Sequence, residues 1–361
     1  MPSILLTGYP GFLGASLLPR ILARRPEITA VCLIQDKFAR LATDHRNALV
    51  AQNPSLDGRI ELVEGDITSP SLVSRGSKLP EDVDEIYHLA AVYDLRVSAE
   101  LAWSVNVQGT GHVLDFARKC PSLRRLHYVS TCYVSGPHPG VFREGDLRVG
   151  QSFNNHYEAT KYRAEEEVQK AMSNGLPTTI YRPAVVVGDS TTGETQKYDG
   201  PYFFLSLILR QRGVALLPVV GDIRRVHLNV VPRDFIVDAM THLSSLAQSE
   251  NRVYQLADPD PPTVHEVVES LDRATGRRII RIPLPFGLAR WSTQHLPGIR
   301  RLTGIPAEAI DYFARATVYD TSNTTADLKG SGIEVPRFVE YAETLVRFMQ
   351  EHPEVGSEAM V

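Results

Sequence analysis

The chain has 361 residues, of which 43% are hydrophobic and 22% charged, and its formal net charge at pH 7 is −4. This composition is typical of a globular protein with a sizeable core, and without a basic excess we expect no nucleic-acid partner. The three cysteines lie far apart, which argues against a disulfide framework and against a metal site. No stretch reaches the roughly 18 apolar residues of a membrane span, and the start of the chain does not resemble a signal peptide. We therefore expect a cytoplasmic protein.

Short β-branched runs alternate with helical stretches over the first half of the chain. Strands are predicted at residues 4–7, 29–34, 60–64, 85–90, 125–130 and 178–181. Helices are predicted at residues 13–24, 99–119 and 157–173. This alternation predicts an α/β fold in which right-handed crossovers build a doubly wound parallel sheet, a Rossmann fold.

The regular alternation ends near residue 188. Prolines cluster at residues 258–262 and 283–285, whereas residues 226–242 look like a return of the chain to the sheet. We therefore predict a Rossmann domain formed by residues 1–185 and 226–257. A smaller, mostly C-terminal substrate-binding lobe would comprise residues 186–225 and 258–361.

A glycine-rich loop connects the first predicted strand to the first predicted helix. Residues 7–14 read TGYPGFLG. Glycines permit a tight turn and a close approach of the backbone to a pyrophosphate, and the helix N-terminus adds free N–H groups. The residues predicted to bind the phosphates are Gly8, Gly11, Phe12, Leu13 and Gly14.

The GxxGxxG spacing of this loop resembles that of the extended short-chain dehydrogenase/reductases. In such folds the end of the second strand reads the adenosine ribose, where an acidic residue favours NAD. Here Gln35 stands at that position and Lys37 and Arg40 follow, so two cations are available for a 2′-phosphate. Asp36 would act in the opposite sense if it turned inward. We favour NADPH as the cofactor, with NADH as the alternative.

The resemblance implies further cofactor contacts. Asp66 and Ile67 match residues at the adenine, and small residues after the fourth strand would let the backbone approach the cofactor ribose. Asn106 matches a helix asparagine that orders the active-site backbone, and the segment after the sixth strand would bind the nicotinamide carboxamide. The strand-end residues of these two segments are Ala90, Ala91, Pro183, Ala184, Val185 and Val186.

A YxxxK pair, Tyr157 and Lys161, begins the helix after the fifth predicted strand. Residues four apart share one face of a helix. We expect the ammonium to lower the pKa of the tyrosine, so that Tyr157 donates a proton to a carbonyl oxygen. The family pattern places Thr131 as the hydroxyl that polarises that carbonyl, with Ser130 as the alternative.

Segments along nearly the whole chain resemble bacterial fatty acyl-CoA reductases and the thioester reductase domains of carboxylic acid reductases. These segments are residues 91–95, 188–194, 197–204, 231–235, 319–324 and 331–336. The resemblance implies hydride transfer to a fatty acyl-CoA thioester or a fatty aldehyde. Apolar residues at 201–205 and 284–291 are candidates for the acyl channel, and the arginine pairs at 224–225, 277–278 and 300–301 for the CoA phosphates.

Other functions share the same cofactor motifs. A nucleotide-sugar epimerase or dehydratase would need a more polar lobe, and a hydroxysteroid-type alcohol dehydrogenase is a further alternative. A non-catalytic dinucleotide sensor would be expected to lack Tyr157 or Lys161, both of which are present. The sequence leaves the chain length of the substrate open, as well as the end product and a homodimeric state.

Overall fold

Seven parallel strands form the central sheet of the chain. The computed structural model describes residues 2–80, 82–93, 97–295 and 317–356. With labels in chain order, the strands of this sheet are β1 (Ser3–Thr7), β2 (Thr29–Ile34), β3 (Ile60–Glu64), β4 (Val83–His88), β5 (Arg125–Val129), β7 (Thr178–Pro183) and β11 (Arg252–Leu256). Their order is β11-β7-β5-β4-β1-β2-β3. The order therefore reverses between β1 and β4, and ligands of such sheets bind at this reversal.

Helices cover both faces of the sheet because its strands are apolar on both sides. Ile4 and Leu6 of β1 belong to the core on one face, and Leu5 belongs to the core on the other. The helices of this part of the chain are α1 (Phe12–Arg24), α2 (Ala39–Gln52), α3 (Ala99–Ala102), α4 (Thr110–Ala117), α5 (His156–Ser173) and α7 (Arg233–Leu243). Helices α1 and α7 pack on the first face, and α4 and α5 on the second. The predicted doubly wound sheet is confirmed.

A second apolar core builds the smaller lobe. Its elements are α6 (Tyr202–Arg210), β9 (Val214–Val220), α8 (Val264–Thr275), β12 (Arg278–Leu284), α9 (Phe286–His295) and α11 (Phe338–Glu351). Strands β9 and β12 pair in parallel, and α8 packs against α11. A short parallel pair of β8 (Val185–Val187) and β10 (Val230–Pro232) lies where the chain crosses between the two parts.

Part of the predicted lobe packs on the sheet. Strand β13 (Thr317–Tyr319) pairs with β6 (Gly140–Phe142), and helix α10 (Ser322–Leu328) lies against β11 and α7. Asp327 in α10 accepts hydrogen bonds from the Tyr254 hydroxyl at 2.6 Å and from Arg252 at 2.9 Å. Residues 317–328 are therefore structurally part of the sheet half, whereas the sequence-based boundaries assigned them to the lobe.

Other elements also differ from the sequence-based expectation. The helix expected at residues 99–119 consists of α3, a π-helical stretch at Trp103–Gly109 and α4. Strand β11 and helix α2 were not predicted. In the described ranges, every helix is too short or too polar to cross a lipid bilayer.

Candidate active site

The carboxyl ends of the sheet strands open onto a cavity of about 880 Å³, which is the size of a small-molecule binding site. Most of the residues predicted for the site line this cavity. They are Gly8, Gly11, Phe12, Leu13, Gly14, Gln35, Lys37, Asp66, Ile67, Ala90, Ala91, Thr131, Tyr157, Lys161, Pro183, Ala184, Val185 and Val186. Arg40 and Asn106 are not among the lining residues. The structure thus brings the predicted segments to one place, while their individual roles stay predictions.

The glycine loop lies so close to strand β4 that a side chain would not fit. Gly8 has φ +87°, and a Cβ atom there would lie 2.7 Å from the amide nitrogen of Ala90. A Cβ at Gly14 would lie 2.6 Å from the carbonyl oxygen of Gly8. Helix α1 starts directly after Gly11, so its N-terminal N–H groups face the cavity end of the loop. This cradle fits the pyrophosphate of a dinucleotide.

Asp66 is fixed in the wall at the predicted adenosine end. Its carboxylate accepts hydrogen bonds from the Gln35 side chain at 2.6 Å and from the backbone and hydroxyl of Thr68, both at 2.8 Å. The two residues predicted at the adenosine therefore hold each other in position. The carboxylate orients Gln35 at the end of β2, where the ribose is read.

The cations after β2 do not behave alike. Lys37 lines the cavity, and its ammonium lies 5.1 Å from the centre of the Phe38 ring. The Arg40 side chain is 94% exposed and lies 3.9 Å from Asp44. The prediction that Arg40 contacts the cofactor is therefore not supported by its position, because the first turn of α2 directs it to solvent. Asp36 is also absent from the cavity lining, so it does not turn inward.

Asn106 acts through the backbone and does not face the cavity. Its side-chain amide accepts a hydrogen bond from the Val92 nitrogen at 2.9 Å. It also donates to the Val92 oxygen and to the Thr160 hydroxyl, both at 3.0 Å. Asn106 thereby joins the π-helical stretch to the segment after β4 and to α5. The direct cofactor contact predicted for it is corrected to a supporting role, since the side chain is buried behind the wall.

The predicted proton donor lies in the first turn of α5. Asn155 caps this helix by accepting the Glu158 N–H at 2.9 Å, and Tyr157 projects from the first turn into the cavity. Burial raises the pKa of Tyr157 to about 12, although a hydrogen bond with Thr131 acts to lower it. The structure thus differs from the expected lowering of this pKa because loss of hydration outweighs the neighbouring charge. The phenol stays protonated at neutral pH, which is the form that donates a proton.

Lys161 is buried one turn beyond Tyr157. Its ammonium donates to the Tyr128 hydroxyl at 2.9 Å and to the Val129 carbonyl at 2.8 Å. Burial lowers the pKa of Lys161 to about 7, and the charge of Glu165 acts in the opposite sense. The ammonium is thus held by the end of β5, a pair of partners that the YxxxK spacing does not reveal.

A buried charge network supports the strand ends from below. The Ser130 hydroxyl donates to Glu165 at 2.5 Å, and Arg182 donates to the same carboxylate at 2.6 Å. Glu165 and Arg182 are both 0% exposed. Ser130 precedes Thr131, and Arg182 precedes Pro183, so the network joins two cavity-lining segments to helix α5. Ser130 is therefore engaged in this network, whereas Thr131 bonds with Tyr157. This favours Thr131 over Ser130 as the catalytic hydroxyl.

His88 at the end of β4 is a structural residue. Its ring hydrogen-bonds the hydroxyls of Thr7 at 2.7 Å and Thr110 at 3.0 Å. Burial lowers the pKa of His88 to about 3, and the charge of Lys161 adds to this effect. The imidazole is neutral and links β4 to its neighbours.

The lobe supplies the far wall of the cavity. Its lining residues there are Thr195, Lys197, Asp199, Gly200, Pro201, Phe203 and Leu228. Of the predicted acyl channel, residues 201 and 203 line the cavity, whereas residues 284–291 do not contribute to the described lining.

The arginines predicted for the CoA phosphates lie outside the described cavity lining. Arg277 donates to the carbonyls of Ile208 and Gln211 within the lobe. Arg225 lies 3.3 Å from Asp222. The pair at residues 300–301 and residues 94–95 fall outside the described residues.

Known proteins resemble this chain over most of its length. A family model described as male sterility protein, an NAD-binding family, matches residues 6–240. The fatty acyl-CoA reductase wat of Drosophila melanogaster is 25% identical over 323 residues, which are 79% of this chain and 60% of that protein. Several nonribosomal peptide synthetases also match, and the chain spans only 5–36% of their length.

Solved structures share the fold. The terminal R domain of the myxalamid PKS-NRPS biosynthetic pathway matches with a TM-score of 0.81 and 28% identity, covering 98% of this chain and 91% of that one. UDP-glucuronic acid 4-epimerase of Bacillus cereus in complex with NAD has a TM-score of 0.69 and 18% identity, with 99% of both chains covered. The family match and the NAD-bound neighbours indicate a nicotinamide dinucleotide as the cofactor. The chain therefore belongs to the male sterility protein family of the extended short-chain dehydrogenase/reductases and is an oxidoreductase.

Proposed function

We propose that the protein reduces a fatty acyl-CoA thioester or a fatty aldehyde with NADPH, and that Tyr157 is the proton donor. The observation that carries this proposal is the protonated Tyr157 phenol, paired with Thr131 in a cavity with a dinucleotide cradle. The fatty acyl-CoA reductase and the R domain among the similar proteins support the substrate class.

The chemistry needs a hydride, a proton and a stabilised oxyanion. When bound, the nicotinamide supplies the hydride. Thr131 and Tyr157 donate hydrogen bonds to the carbonyl oxygen as negative charge develops on it. Tyr157 then gives its proton to that oxygen, and the Lys161 ammonium stabilises the remaining phenolate. From a thioester, the resulting hemithioacetal loses its C–S bond and yields an aldehyde and the free thiol. An aldehyde substrate yields an alcohol.

Lys37 supports NADPH as the cofactor. It lines the cavity beside Gln35, so its ammonium is available for a 2′-phosphate. An acidic side chain that would select the NAD ribose is absent from the described lining at this point, because Asp36 faces away. NADH is expected to be a weaker substrate.

The walls near the reacting end suit an acyl chain. Apolar side chains reach the cavity from the segment after β4 and its helices, from the segment after β5, and from the lobe. They belong to Val92, Leu101, Val105, Tyr133, Phe203 and Leu228. A nucleotide sugar would find few polar partners among them, and burying its hydroxyls without partners is costly.

Cofactor oxidation with a panel of substrates tests the proposal. NADPH and NADH are each offered with palmitoyl-CoA, with a long-chain aldehyde and with a UDP-sugar. We expect NADPH oxidation with at least one fatty substrate and none with the UDP-sugar. Absence of turnover with both fatty substrates would remove the substrate assignment and leave the family assignment intact. Conversion of the UDP-sugar without net cofactor oxidation would favour an epimerase.

A further inference from the structure

An ion pair interrupts the apolar lobe wall of the cavity. The ammonium of Lys197 lies 3.0 Å from the Asp199 carboxylate, and the Lys197 side chain is only 10% exposed. The same ammonium lies 4.7 Å from the centre of the Tyr93 ring, which also lines the cavity. A buried ion pair contributes little net stability, since desolvation offsets the Coulomb attraction. Its position in a ligand cavity therefore calls for a functional explanation.

The segment that carries this pair is extended and anchored at two points. Thr195, Lys197 and Asp199 line the cavity. The alternate residues point elsewhere: Gln196 donates to the Pro10 carbonyl at 3.3 Å, and the Tyr198 hydroxyl donates to the His352 carbonyl at 2.9 Å. Residues in extended backbone alternate between two sides. The segment is thus fastened to the glycine loop on one side and to the end of α11 on the other, and it presents both charges to the ligand.

The pair lies toward the reacting end of the cavity. The charge of Asp199 raises the pKa of Tyr157, so the carboxylate acts at the predicted proton donor. Around it, Pro201 and Phe203 offer apolar surface to an acyl chain. An acyl chain cannot use an ammonium or a carboxylate. An amide group can use both, because its carbonyl accepts from the ammonium and its N–H donates to the carboxylate.

We infer that Lys197 and Asp199 recognise the amide-bearing pantetheine arm of the thioester donor and so distinguish a thioester from a free aldehyde. This inference rests on the proposed function. The pantetheine arm is common to coenzyme A and to the prosthetic group of carrier proteins, so the pair would serve a donor of either kind. Lys197 and Asp199 are specificity-determining residues in this account, and Tyr157 keeps the proton transfer.

The test compares two substrates with the same acyl chain. The double variant Lys197→Met/Asp199→Leu removes both charges and keeps similar bulk, and Lys197→Gln/Asp199→Asn keeps hydrogen-bonding groups. For each protein, kcat/KM is measured with a long-chain acyl-CoA and with the aldehyde of equal length, and NADPH binding is followed by fluorescence to verify folding. A further arm offers the same acyl group on the phosphopantetheine of a carrier protein.

We expect the ratio of thioester to aldehyde kcat/KM to fall about tenfold or more in the apolar variant, the usual effect of losing charge-assisted hydrogen bonds. The amide variant should recover part of that ratio. The fall should occur with both thioester donors, and the wild-type efficiencies then show which donor is preferred. An unchanged ratio in the apolar variant overturns the inference. Wild-type protein that reduces neither substrate overturns the proposed function instead.

Discussion

The buried pair of Glu165 and Arg182 offers a sharp test of how the active site is supported. Both side chains are 0% exposed and 2.6 Å apart, and the carboxylate also accepts from Ser130. The substitution Glu165→Gln keeps the shape of the side chain and removes the charge. Because the Arg182 guanidinium is then buried without its counter-ion, we expect a loss of about 3–5 kcal/mol in the free energy of unfolding.

For a chain of this length, that loss corresponds to a melting temperature lower by about 4–7 °C. Differential scanning calorimetry of the purified protein measures this shift. Glu167→Gln on the same helix is the matched control, because Glu167 is 55% exposed and lies 3.9 Å from Lys170. A surface pair of this kind contributes about 0–1 kcal/mol. Equal melting temperatures for the two variants would refute the reasoning.

Three further outcomes follow from the geometry. Gly8→Ala should weaken NADPH binding at least tenfold in fluorescence titrations, because its Cβ would lie 2.7 Å from the Ala90 nitrogen; Gly58→Ala, with positive φ but nothing within 4 Å, should bind normally. Lys37→Ala should raise the KM for NADPH about tenfold or more, through loss of a charge-assisted bond, and leave that for NADH unchanged; equal changes would contradict the assignment. Burial lowers the pKa of Lys161 to about 7, so the ammonium is lost as pH rises through that value. We therefore expect kcat/KM for NADPH, which reports the free enzyme, to fall between about pH 7 and pH 9; a flat profile would contradict this.

The parallel sheet and the glycine loop could be predicted because both depend on local patterns. Strand–helix alternation and the GxxGxxG spacing are visible within short windows of the sequence. Helix α2 was missed because Ala42 is its one buried residue, so it carries almost no apolar stripe. Strand β11 is only five residues long and lies between polar segments.

The contacts that tune the site could not be predicted in this way. Lys161 is held by the hydroxyl of Tyr128 and the carbonyl of Val129, which are more than 30 positions away in the chain. One signal was available for Glu165, since it follows Lys161 by four positions and so shares its helix face. The Lys197 and Asp199 pair also had a signal, the alternation of polar residues before an apolar helix, but its meaning depends on the cavity.

The most direct measurement of the central claim compares wild-type protein with Tyr157→Phe in NADPH oxidation with a long-chain acyl-CoA. We predict that the wild type oxidises NADPH and releases coenzyme A, whereas the variant binds NADPH with the same dissociation constant and turns over about 10²–10⁴ times more slowly, the usual contribution of a positioned proton donor. Turnover by Tyr157→Phe within about tenfold of the wild type would contradict the assignment of Tyr157 as that donor.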